Sequence, residues 1–156
     1  MSAKQFSWPA ADFHEPAFRR PERGGVPHEH LLGEHLAGLL SWARSARQPV
    51  SLLLVALQSP ADSHCAPAPF LPLEAVSAMQ RLIGASDTLV RLGERDYAIM
   101  LAGASGTEAR ILSQVLRRSL VSLPATAPRV GFAVFPQDGA DAPVLVRRAL
   151  YQRDAG

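Results

Sequence analysis

Gly93, Glu94, Arg95, Asp96 and Tyr97 form the stretch of this chain most able to do chemistry. A glycine turn that also carries two charges and an aspartate can be an active-site hairpin. It can equally be an ordinary polar hairpin tip. The flanks predict two strands: Thr88 to Leu92 lead in, and Tyr97 to Leu101 lead out. What surrounds this turn decides between the two readings.

Other reactive side chains give weaker patterns. His28, His30 and His35 lie near Glu29 and Glu34. A helical zinc site of the HExxH type needs two histidines four residues apart on one face. The position four after His28 is Leu32, and His30 and His35 are five apart, so a polar helix start accounts for them better. His64 and Cys65 are adjacent, and adjacent residues rarely face each other as base and nucleophile. No GxGxxG, P-loop or GxSxG motif is present.

The chain of 156 residues has the length of about one domain, and 47% hydrophobic with 19% charged residues suits a globular protein with its own core. The net charge is only +2, and Lys4 is the sole lysine. The pairs Arg19-Arg20, Arg117-Arg118 and Arg147-Arg148 read as solvated helix faces rather than a phosphate track, so no nucleic acid is expected. One cysteine allows no disulfide within the chain and suits a reducing cytoplasm. The apolar run Leu52 to Leu57 is too short to span a bilayer, so no direct membrane insertion is expected. The first residues do not read as a signal peptide.

Residues 1–25 are rich in Pro, Gly and charge, with Phe6, Trp8, Phe13 and Phe18 interspersed, and read as an irregular arm. A domain follows over 26–156. Apolar spacing predicts helices over 28–46, 73–83 and 105–123, and a last one over 144–151. In the third, Ile111, Leu112, Val115, Leu116 and Leu120 are expected inward, and Ser105 with Glu108 forms a capping box. Residues 51–57 read as a strand buried on both faces, and 130–135 as another. Pro124 and Pro128 are expected to bracket a turn, and Asp141 to cap the last helix. The order is αβαββαβα; without the terminal, flanking helices the core is βαββαβ, an α+β, ferredoxin-like antiparallel sheet with its helices on one face.

In that architecture the tip of the middle hairpin lies near the end of the first strand. Palm-type and cyclase sites place metal-binding carboxylates there, because two Mg²⁺ ions must neutralise a triphosphate and activate a hydroxyl. The first strand ends Val55-Ala56-Leu57-Gln58 and has none, and the tip carries Arg95. No metal or other cofactor is expected.

The chain, over about 25–154, resembles the GGDEF family, the diguanylate cyclase domain of bacterial cyclic di-GMP signalling. The family stretch D-T-V-A-R-L-G-G-D-E-F-A-V-L-L is similar to Asp87 through Leu101, with GERDY in place of GGDEF. Gly25-Val26-Pro27 resembles the family's G-L-P-N start. Residues 51–58 resemble the L-L-L-I-D-I-D strand, 131–139 the S-I-G-V-A-x-Y-P-x-D-G segment, and 147–151 the R-R-A-D-x-A-L-Y segment.

The resemblance also marks the departures. The family's first metal-binding Asp falls on Ala56, the next on Gln58, and the signature acid on Arg95. The second glycine, which admits the nucleotide, falls on Glu94, and beyond Arg153 nothing matches the final phosphate-binding lysine. The loop after the first strand lacks the guanine-reading motifs. Of the product-inhibition motif R-x-x-D, Asp87 holds the Asp position and Gly84 the Arg position. Arg81, one helical turn earlier, is a candidate substitute.

The resemblance therefore implies a catalytically inactive module, with no catalytic or metal-binding residues of its own. It would be cytoplasmic and regulatory, bound to a protein partner or to a second copy of itself, in cyclic di-GMP-linked signalling or a secretion or biofilm assembly. The alternative is a non-catalytic receptor for cyclic di-GMP or another nucleotide through Arg81, Asp87 and Arg91.

Overall fold

The computed structural model describes residues 27–58 and 72–155, and the side chains from Leu32 in the first helix. The arm over 1–25, His64 and Cys65, and the side chains of His28 and His30 lie outside the described residues. In chain order the elements are α1 (Pro27–Ala46), β1 (Val50–Gln58), α2 (Pro72–Gln80), β2 (Thr88–Arg91), β3 (Asp96–Ala102), α3 (Gly106–Val121), β4 (Ala127–Phe135) and α4 (Ala142–Ala155).

β1 is apolar almost throughout because it is central. It pairs antiparallel with β3 and with β4, in the order β2-β3-β1-β4. Its residues alternate between two cores. Leu53, Val55 and Leu57 pack with α2 and α3 on one face, and Leu52 and Leu54 pack with α1 and α4 on the other. The ferredoxin-like order is thus found: the two core helices, α2 and α3, share one face as expected, and the flanking helices α1 and α4 cover the other. The terminal helices supply the second layer: Leu32, Leu36, Leu39 and Leu40 of α1 and Leu145 and Ala149 of α4 are buried against it. A sheet with two apolar faces has to bury both.

The helix ends follow local chemistry. α1 stops at Ala46, where Arg47 turns left-handed (φ 56°) and the Gln48 N–H donates to the Ala43 carbonyl at 3.0 Å. α3 starts on the expected capping box: the Glu108 N–H donates to Ser105 Oγ at 3.3 Å, and the Ser105 N–H to Glu108 Oε1 at 2.9 Å. The Val144 N–H donates to Asp141 Oδ1 at 3.2 Å, so Asp141 caps α4 as expected.

Three expectations need correction. Ile111 is 55% exposed, because the inward stripe of α3 runs through Ala109, Ser113, Leu116 and Leu120, which leaves Ile111 on the outer side. Pro128 lies within β4, not in a turn. β4 is an edge strand, where a missing N–H costs no ladder bond. α4 runs four residues past Tyr151, to Ala155.

Side chains seal the outer edge of β4. Arg117 Nη2 donates to the Val130 carbonyl at 3.1 Å, the Phe132 N–H donates to Gln152 Oε1 at 2.7 Å, and the Val134 N–H donates to Asp138 Oδ2 at 2.8 Å. With Pro128 offering no donor, little remains for an added strand to pair with. Among the described residues no helix is long and apolar enough to cross a membrane.

Candidate functional site

Backbone and one arginine shape the hairpin between β2 and β3. The Leu92 and Gly93 N–H groups donate to the Asp96 carbonyl at 2.7 and 3.1 Å. Arg91 reaches forward: Nε donates to the Gly93 carbonyl at 2.9 Å and Nη2 to the Glu94 carbonyl at 3.1 Å. Its planar fork matches two successive carbonyls and clamps the tip from within. The tip then docks on β1, where the Leu57 N–H donates to the Arg95 carbonyl at 2.8 Å. The sequence expectation that the tip lies at the end of the first strand therefore holds.

Arg95 points back into the protein. Its Nη1 donates to the carbonyls of Leu57 at 2.8 Å and Ala125 at 3.0 Å, tying the end of β1 to the loop before β4. Ala125 is left-handed (φ 56°), a conformation an alanine adopts at some cost. On the α4 side, Asp96, Ala56 and Arg129 lie abreast on β3, β1 and β4. The last turn of α4 covers this row. Arg153 Nη1 lies 3.6 Å from Asp96 Oδ1 while its Nε donates to Asp154 Oδ1 at 3.0 Å, and Arg129 Nη1 donates to the Asp154 carbonyl at 3.3 Å. Loss of solvent raises the Asp96 pKa above the usual carboxylate value, with Arg153 opposing that rise and Asp154 adding to it.

Tyr97 is fully buried, with Arg91 6.0 Å above its ring, and among the described residues its hydroxyl has no hydrogen-bond partner. A phenylalanine keeps the packing and removes an orphaned polar atom. Tyr97→Phe is expected to hold or raise stability by about 1 kcal/mol in urea denaturation, whereas a loss of that size would reveal an unrecognised partner. Burial raises the phenol pKa. The native state therefore favours neutral Tyr97, and the wild type should lose stability above about pH 10 by a component that the variant lacks.

The candidate ligand residues do not converge. Arg91 is occupied by the hairpin carbonyls at one end of β2. Asp87 stands before the other end, roughly 13 Å away by strand rise. Asp87 Oδ2 accepts the Gly84 N–H at 2.8 Å and Oδ1 accepts the Ala102 N–H at 3.2 Å, so both oxygens brace the turn between α2 and β2. Arg81 is exposed just past α2. An open depression of about 290 Å³ next to Asp87 is lined by Leu82, Gly103, Glu108 and Leu112. Among the described residues no group of three His, Cys, Asp or Glu side chains is placed to hold a metal ion. Sequence reasoning missed the Arg153–Asp96 contact and the close approach of the α4 backbone to Gly131, where a β-carbon would meet the Ala149 carbonyl and the Arg153 nitrogen. The one available signal was a glycine inside a strand, which often marks a close backbone approach.

No family model matches the chain, and no curated protein matches it. Solved structures do. The GGDEF domain of TpbB (YfiN) from Pseudomonas aeruginosa is 19% identical with a TM-score of 0.70, covering 91% of this chain and 87% of that one. The GGDEF domain of FimX from the same organism is 20% identical with a TM-score of 0.68, covering 92% of each chain. The active GGEEF domain of a diguanylate cyclase from Vibrio cholerae is 14% identical with a TM-score of 0.64, covering 81% of this chain and 87% of that one. At such identities the likeness is one of fold, and the fold of this chain is that of a GGDEF domain.

Proposed function

We propose that this domain is a catalytically inactive GGDEF-like module that works through protein contacts in cyclic di-GMP-linked signalling. The observation that carries the reading is the side chain of Arg95. A guanidinium bound to the carbonyls of Leu57 and Ala125 stands at the signature position where the family resemblance calls for a metal-binding acid. Ala56 has no donor atom, and Gln58 offers only a neutral amide at the end of β1. The one carboxylate in the row, Asp96, faces Arg153. Such a set does not fit a pair of divalent cations, which need several anionic oxygens converging on one place.

Cyclic di-GMP reception through Arg81, Asp87 and Arg91 is the weaker reading, because Asp87 and Arg91 already serve backbone partners. Titration calorimetry with cyclic di-GMP is expected to give no heat of binding at micromolar concentrations. Micromolar binding abolished by Asp87→Ala or Arg81→Ala would replace the interaction module with a receptor. The partner, a different protein or a second copy, would act in a signalling, secretion or biofilm assembly.

A further inference from the structure

One long stretch of the chain carries basic residues and no acidic ones. Residues 109–137 contain Arg110, Arg117, Arg118 and Arg129 and no acid at all, in a chain whose total charge is only +2. Three of these arginines lie on the outer face of α3. Arg110, Arg117 and Arg118 are exposed there beside Ile111, 55% exposed, and Val121, 61% exposed. Helical geometry sets these five side chains within about 120° of arc, opposite the buried stripe of Ala109, Ser113, Leu116 and Leu120. The nearest carboxylate on the helix, Glu108, is held by the Ser105 N–H in the capping box. Arg117 leans toward β4, while the guanidiniums of Arg110 and Arg118 make no hydrogen bond or ion pair among the described residues.

We propose that this face of α3 docks an acidic, amphipathic helical segment of a partner protein. The inference rests on the reading of the domain as an interaction module and names the surface and the chemistry of what it binds. Ile111 and Val121 stand about 15 Å apart along the helix, so one helix laid alongside can cover both with apolar residues two to three turns apart. Its flanking carboxylates meet the guanidiniums, which prefer bidentate contact. Two exposed aliphatic side chains give no advantage on a nucleic acid, which rewards charge and stacking. They also make too thin a stripe for a bilayer surface, which selects a broad apolar face with aromatic anchors.

The test uses the full chain labelled with ¹⁵N. The probe is a synthetic helical peptide of about 18 residues, with leucine at every third and fourth position and glutamate elsewhere. Amide shifts along α3 are expected, with affinity reduced about tenfold by combining Arg110→Glu and Arg118→Glu. A peptide with lysine for glutamate should bind the double variant better than the wild type. The proposal is overturned if the acidic and basic peptides bind the wild type alike. It is also overturned if the shifts map off α3, or if phosphatidylglycerol vesicles or a short DNA duplex bind α3 more tightly than the acidic peptide. GTP turnover on the same sample separates the two readings. Turnover with peptide binding removes only the inactive assignment, and no turnover with no peptide binding removes only the docking face.

Discussion

Gly131→Ala is expected to destabilise the domain by about 3 kcal/mol or more, the upper end of what overpacking costs. A β-carbon on Gly131 would lie 2.3 Å from the Ala149 carbonyl oxygen, 2.3 Å from the Arg153 nitrogen and 2.7 Å from the Arg153 α-carbon. All three are backbone atoms of α4, so no side-chain rotation relieves the clash and the helix itself must move. Movement there also strains the Phe132–Gln152 and Arg129–Asp154 bonds and the Arg153–Asp96 contact. Urea denaturation of the variant measures the loss. Gly33→Ala in α1, where a β-carbon meets nothing within 4 Å, serves as the control and should gain about 0.5 kcal/mol. Equal stability of the Gly131 variant and the wild type would mean that α4 does not pack as closely on β4 as described.

Arg95→Ala is expected to cost about 2 kcal/mol, in the range for hydrogen bonds from a charged donor to part-buried acceptors. The loss has a local address. The Leu57 and Ala125 carbonyls lose their shared donor, and the loop before β4 comes away from the end of β1. Arg95→Glu should cost more, because it turns a carboxylate toward two carbonyl oxygens. Millimolar Mg²⁺ should not rescue it, since Ala56 and Gln58 still offer no anionic oxygen. Thermal melts of both variants, with and without Mg²⁺, decide the matter. A glutamate variant as stable as the wild type, or one stabilised by the metal, would show that this position still tolerates a metal site.

These two positions also show what was legible in the sequence. The strand and hairpin pattern was readable because apolar residues in β1 and around the turn at Gly93 follow short-range rules. The capping box at Ser105 and the Asp141 cap were equally local. The absence of acids at Ala56 and Arg95 could be read once the hairpin had been placed at the end of β1. The bonds from Arg95 to Leu57 and Ala125 could not, because these acceptors lie 38 and 30 residues away and are backbone carbonyls, which every residue carries. Gly131 shows the same limit, since its demand comes from a helix about twenty residues downstream. The terminal helices were legible as elements, but the face they cover was not, because the βαββαβ pattern places only the two helices it contains. Ile111 was misplaced because an apolar residue on an amphipathic helix is assumed to face inward. Its exposure is what makes the outer face of α3 a candidate interface.

We propose that the hairpin keeps the frame of a GGDEF site without its chemistry. The most direct measurement incubates the full chain with GTP and either Mg²⁺ or Mn²⁺ and separates the nucleotides by chromatography. No cyclic di-GMP is expected above a protein-free control. Repeated turnover that disappears in Asp96→Ala would contradict the proposal, since catalysis would then run through the one carboxylate left in the row.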